Sequence, residues 1–164
     1  MNISQPHFVD TQRGRFAYRE GGEAAGGPLV MIHGWPESSY CWKHLAGYLR
    51  PGLRIIAPDL QGLGNSERTE GLAHYLKVEL ARDVVEVLGA LGAFDFQLVG
   101  HDWGGIVAQE IAMAMPVRVR RLILLNIAVI DNPEGNREVI RVLRERGSRS
   151  TGTGIFSRRR DWLR

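Results

Sequence analysis

The chain has a single cysteine, Cys41, among 164 residues. That excludes an internal disulfide and fits a reducing, cytoplasmic setting. No apolar run is long enough to cross a bilayer, so no membrane span is expected. The opening residues MNISQPHFVDTQRGRF lack a basic stretch followed by an apolar one, and no signal peptide is expected. Five histidines occur, none of them after His101. No His/Cys cluster has metal-ligand spacing, so neither a metal nor a cofactor is expected. There is no internal repeat, and low complexity is confined to the C-terminal end.

What is present is ordinary in amount and uneven in placement. Hydrophobic residues make up 44% and charged residues 24%, as in a globular domain able to bury a core. The net charge of +3 hides an asymmetry. From Arg137 onward nine arginines face Glu138, Glu145 and Asp161, which leaves 12 basic and 15 acidic residues before that point. A basic tail can bind nucleic acid. This one lacks the interleaved aromatics that stack bases, so no nucleic-acid partner is expected. The chain divides into a core over 1–136 and a basic helix and tail over 137–164, the latter either the start of a further domain or a disordered end.

Hydrophobic patterning supplies the elements. Phe8-Val9 and Phe16-Ala17-Tyr18 flank Arg13-Gly14 as a hairpin, and residues 21–28 have loop composition. The short continuous apolar runs at 28–33, 53–59, 96–100 and 121–126 predict strands buried on both faces of a parallel sheet. Helices are expected over 38–50, 73–91, 104–115 and 134–146, with Pro51-Gly52, Gly92 and Pro116 as stop signals. Strands alternating with helices imply an α/β fold: a mostly parallel sheet with right-handed crossovers, flanked by helices.

The stretch QLVGHDWGGIVAQE (97–110) carries the chemistry. The strand ends at Gly100 and the helix starts near Gly104, so Asp102 is the tip of a G-x-D-x-G turn. This is the nucleophile-elbow pattern with aspartate in place of serine. Such a turn needs Gly100, Gly104 and Gly105, because a Cβ there meets the adjoining strand or helix and the tip is held at strained dihedrals. The turn lifts Asp102 above the carboxyl ends of the strands, where α/β folds hold ligands, and aims helix N-terminal N–H groups at the site. A carboxylate so placed can attack carbon, displace a leaving group and form an ester. The alternative use of Asp102 is as a simple helix N-cap. After the first buried strand comes His33-Gly34-Trp35-Pro36. Its Trp35 N–H, with that of Trp103, would form an oxyanion hole for cleaving the ester. His33 is read as a buried histidine that shapes the loop.

Taken together, HGWPESSYCW, APDLQGLGNSE and GHDWGG resemble the α/β-hydrolase fold family, specifically its epoxide hydrolase and haloalkane dehalogenase branch, over roughly residues 8–135. The resemblance implies an aspartate nucleophile at Asp102, an alkyl-enzyme ester, and a small apolar epoxide as substrate. Trp35 and Trp103 would line the substrate site. RLILLN with IAVIDNP is also similar to haloalkane dehalogenases, in which a Trp directly after the nucleophile holds the leaving halide; Trp103 has that place. The usual second halide donor, an Asn after His-Gly, is replaced by Trp35. In epoxide hydrolases, lid tyrosines protonate the epoxide oxygen, and no lid is recognisable in this chain.

The family hydrolyses its ester with a late histidine oriented by an acid. No histidine follows His101, which is expected to point away from Asp102. Neither His7, His33, His44 nor His74 falls where the family has its base. Asn126 occupies one position of the orienting acid, and Asp131 is a weak substitute. The expectation is therefore an incomplete α/β-hydrolase fold, with lid and last strands missing. Three readings stay open. The chain is a truncated product; or it is part of an enzyme completed by self-association or a complementing chain; or it is a noncatalytic binding protein on a hydrolase scaffold.

Overall fold

The computed structural model describes residues 2–23 and 27–127, together with positions 134, 137 and 141. The expected hairpin is β1 (His7–Thr11) and β2 (Gly14–Gly21), paired antiparallel with Thr11 opposite Gly14. The buried runs become β3 (Leu29–Ile32), β4 (Ile55–Pro58), β5 (Phe96–His101) and β6 (Val119–Leu125). The sheet order is β1-β2-β4-β3-β5-β6. β4, β3, β5 and β6 run parallel, and β2 joins β4 antiparallel.

Alternation along the central strands divides the core between two faces. Val30, Ile32, Ile56 and Leu98 pack with Leu80, Val84, Leu88, Val107 and Ile111 of the helices. Leu29, Met31, Ile55, Ala57 and Val99 pack on the other face with Trp42 and Ala46. Ile32, Ile56 and Leu98 are wholly buried, and burial of one such side chain contributes roughly 1.5–3 kcal/mol. The hairpin is pinned to this core by Arg13, which pairs with Glu79 at 2.7 Å and with the buried Asp83 at 2.6 Å.

The helices differ from the sequence expectation at their starts. Residues 38–50 do not form one helix. A 3-10 turn over Ser39–Trp42 precedes a short α1 (Lys43–Tyr48). The Ser39 N–H is held by Asp59 at 2.6 Å, and Gly47 weakens the far end. The helix expected over 73–91 is likewise split. A 3-10 turn, Leu72–Tyr75, is followed by extended Leu76 and then α2 (Lys77–Ala90). Gly92 closes it at φ +68°, as a glycine stop should. α3 (Trp103–Ala114) begins one residue earlier than expected. The helix expected over 134–146 lies outside the described residues apart from positions 134, 137 and 141, which are helical.

β6 departs most from its sequence reading. Its apolar run suggested burial on both faces, yet Leu122, Ile123 and Leu125 are exposed. Among the described residues β6 pairs only with β5, and no described strand pairs with its outer edge.

Candidate active site

β5 ends at His101 and α3 begins at Trp103, so Asp102 alone makes the turn. Its backbone stands at φ 51°, ψ −119°, a region that costs a non-glycine residue on the order of 1–3 kcal/mol. The glycines are required by contact. A Cβ on Gly100 would lie 2.3 Å from the Gly104 carbonyl oxygen, and one on Gly104 2.3 Å from that of Ile32. On Gly105 it would meet the Ile127 side chain at 2.5 Å. The Asp102 side chain does not cap α3, which removes the N-cap alternative. The Asp102 N–H instead donates to the Leu125 carbonyl at 3.2 Å, tying the elbow to the end of β6.

The loop after β3 meets this tip. The Trp35 N–H donates to Oδ1 of Asp102 at 3.0 Å. Gly34 allows the approach: a Cβ there would be 2.6 Å from that of Asp102. The Trp35–Pro36 peptide is cis. The N–H of Trp103 belongs to the first residue of α3 and has no intrahelical acceptor. The Trp35 and Trp103 rings lie 6.1 Å apart at 32°, with Trp35 largely exposed and Trp103 half-buried. The structure thus gathers Asp102, Trp35 and Trp103 at the carboxyl ends of β3 and β5.

His33 is wholly buried. Its Nε2 accepts from the Leu60 N–H at 3.0 Å, and its Nδ1 donates to the Gly34 carbonyl at 2.8 Å. Both bonds need the neutral ring, and burial lowers its pKa from the usual histidine range. It shapes the loop, as expected. His101 lies 3.3 Å from Glu37 and packs edge-on to Trp42. His7, His44 and His74 sit on β1, α1 and the Leu72–Tyr75 turn. None of these histidines hydrogen-bonds Asp102 among the described residues. Asn126 follows β6 at φ 54°, and Asp131 lies outside the described residues. No three His, Cys, Asp or Glu side chains converge to hold a metal among the described residues.

Two residues near the site were not singled out by the sequence reading. Asp59 accepts from the N–H groups of Ser39 at 2.6 Å and Asn65 at 2.9 Å, and its carbonyl accepts from the Ser66 hydroxyl at 2.7 Å. It joins the loops after β3 and β4. Its signal was an acid at the end of a buried strand with Asn-Ser six residues on. Lys77 is the second. It is buried at 8% exposure, with its ammonium 3.0 Å from the centre of the Trp103 ring. Desolvation lowers its pKa to about 8, and the nearby Asp102 charge opposes that shift. A desolvated cation–π contact contributes ~2 kcal/mol, less than the several kcal/mol needed to bury an ammonium. Its signal was a lysine one helical step before Ala81, Val84 and Leu88, in a stripe that is otherwise core.

A separate shallow groove is lined by Asp10, Thr11, Gln12, Val85, Glu86, Gly89, Ala90 and Arg118. None of these belongs to the elbow.

A family profile for the alpha/beta hydrolase fold matches residues 27–148. The soluble epoxide hydrolase of Corynebacterium sp. (strain C12) is 41% identical over 103 residues, covering 63% of this chain and 35% of that protein. Epoxide hydrolase 4 of Mus musculus is 35% identical over 112 residues, covering 68% and 31%. The crystal structure of a Vigna radiata epoxide hydrolase superposes with a TM-score of 0.68 at 31% identity, over 85% of this chain and 46% of that one. The chain spans about a third of the length of the curated relatives it matches. The six-stranded, mostly parallel sheet with its elbow is thus one part of a larger fold, and the chain belongs to the α/β-hydrolase fold family, where the relatives it matches are epoxide hydrolases.

Proposed function

We propose that the chain is the nucleophile-bearing part of an epoxide hydrolase. Asp102 attacks an epoxide carbon and forms an alkyl-enzyme ester. The observation that carries this reading is the Trp35 N–H bond to Oδ1 of a strained Asp102. One carboxylate oxygen is held by a loop donor, and the other is left to attack. When water later adds to the ester carbon, Oδ1 becomes the oxyanion. It already lies beside Trp35, with the Trp103 N–H as second donor. The substrate class is a small apolar epoxide, lined by the two indoles. The base for ester hydrolysis is not among the residues gathered here, so turnover needs a histidine from another segment or chain. The single Cys41 supports a cytoplasmic setting. Among the described residues no helix is long and apolar enough to cross a membrane.

Trp103 directly after Asp102 supports a second reading, a haloalkane dehalogenase-like displacement in which its indole holds the halide. A third is ligand binding without chemistry.

Intact-protein mass after incubation with a panel of epoxides and haloalkanes tests all three, with Asp102→Asn as control. Folding is first verified by circular dichroism. An adduct that requires Asp102 supports the nucleophile reading, and the reagent that forms it selects epoxide or halide. Product without a lasting adduct means that a base is supplied. Folded protein that yields neither supports the noncatalytic reading.

A further inference from the structure

Lys77 and Trp103 are the first residues of α2 and α3. Their side chains meet, with the ammonium 3.0 Å from the centre of the indole ring. The contact is costly. The positive end of the α2 macrodipole disfavours a cation, and the side chain is buried. Among the described residues it forms no salt bridge: Glu79, on the same helix, pairs with Arg13 and Arg82. A methionine would fill this place in the core stripe with no charge to desolvate. A local rule broken without a gain in stability marks a functional position. What the contact fixes is a ring. Trp103 follows Asp102, and its indole lies 6.1 Å from that of Trp35 at 32°, within the range over which aromatic rings attract. Trp35 in turn holds Oδ1 of Asp102 through its N–H. The cation thus pins the half-buried member of an aromatic pair whose other member, Trp35, is largely exposed.

We propose that Lys77 is a positioning residue that locks the Trp103 indole as a stacking wall, so that the site selects aromatic epoxides over saturated ones of equal size. This rests on the nucleophile reading above. The ammonium takes no part in making or breaking bonds; it acts only through the ring. Without that contact the indole can change rotamer, and a side chain that must be ordered on binding gives back part of the stacking energy. A flat aryl group on a fixed indole face gains more than its buried area, whereas a puckered cyclohexyl group gains area alone.

The test is a competition in one tube. The full chain is offered phenyl glycidyl ether and cyclohexyl glycidyl ether together. Both carry the same terminal epoxide, and their Asp102-dependent adducts are resolved by intact mass. Wild type is expected to favour the phenyl compound about fivefold. Lys77→Met should bring the ratio close to even. Lys77→Arg keeps a cation for the ring and should hold the ratio within about twofold of wild type. As pH rises through about 8 the Lys77 ammonium, on which the Asp102 charge also acts, loses its proton. The wild-type ratio should then fall while that of Lys77→Arg stays level; an effect of pH on the nucleophile cancels in the ratio. No aryl preference in wild type, an unchanged ratio in Lys77→Met, or equal loss in folded Lys77→Arg and Lys77→Met overturns the positioning role and leaves the nucleophile reading intact. Absence of Asp102-dependent adduct from folded wild type with either reagent overturns both.

Discussion

The Trp35 N–H and Oδ1 of Asp102 lie 3.0 Å apart although 67 residues separate them in sequence. Parallel pairing of β3 with β5, Ile32 opposite Gly100, brings the ends of both strands to the same level. Each then hands the chain to a loop that turns toward the other. The donor is backbone, so its place is set by the loop and not by a rotamer.

That loop position depends on Gly34. Gly34→Ala puts a Cβ 2.6 Å from that of Asp102, and one of the two loops must shift. A displacement of about 1 Å at a reacting group costs on the order of 100-fold in rate. Adduct formation at Asp102 should fall by about that factor, while circular dichroism shows the sheet retained.

The strain at Asp102 is open to direct measurement. Asp102→Gly and Asp102→Ala both lose the carboxylate, so they differ only in backbone preference. At φ 51° glycine avoids about 1–3 kcal/mol of strain, against roughly 0.5–1 kcal/mol of extra chain entropy. The glycine variant should be more stable by about 1 kcal/mol in urea unfolding. At an unstrained position alanine would be the more stable of the two.

Lys77 makes stability depend on pH. Its folded pKa is lowered to about 8 from 10.5, so between those values the unfolded chain binds more protons. Stability therefore rises with pH across that window. The penalty of the buried charge is fully present below about 8 and relieved by about 10.5, with a full size on the order of 2–3 kcal/mol. Lys77→Met should exceed wild type in stability at pH 7, and the gap should close by pH 10 to 10.5. A gap that stays constant with pH would assign the effect to packing.

The edge strand β6 predicts association. β6 exposes Leu122, Ile123 and Leu125 along an edge with no partner strand among the described residues. Such an edge is a template for pairing with another chain. Sedimentation should show concentration-dependent self-association, weakened at least severalfold by Ile123→Lys, because a charge on an edge opposes pairing.

Much of this protein is legible in one dimension because the relevant interactions are local. The buried strands read as unbroken apolar runs, since a strand covered on both faces has no polar side to show. The elbow reads as G-x-D-x-G from its pattern, although only the Gly100 clash, with Gly104, is local; Gly104 is demanded by Ile32 and Gly105 by Ile127. The helix starts at 39–48 and 72–77 were misjudged, because distant groups decide them. Asp59 binds the Ser39 N–H from 20 residues away, and Leu76 turns extended just ahead of the elbow's neighbour Lys77.

What the sequence by itself determined is the α/β class, set by hydrophobic period, and the place of Asp102 at the tip of a strand-to-helix turn, while the family followed from the resemblance of its motifs. Only the tertiary structure decided which donor meets that carboxylate, which strand ends the described sheet, and that a lysine in a core stripe lies on the Trp103 ring. These depend on the register of β3 against β5 and on the packing of α2 on α3, which bring together residues whose spacing along the chain carries no signal of their contact.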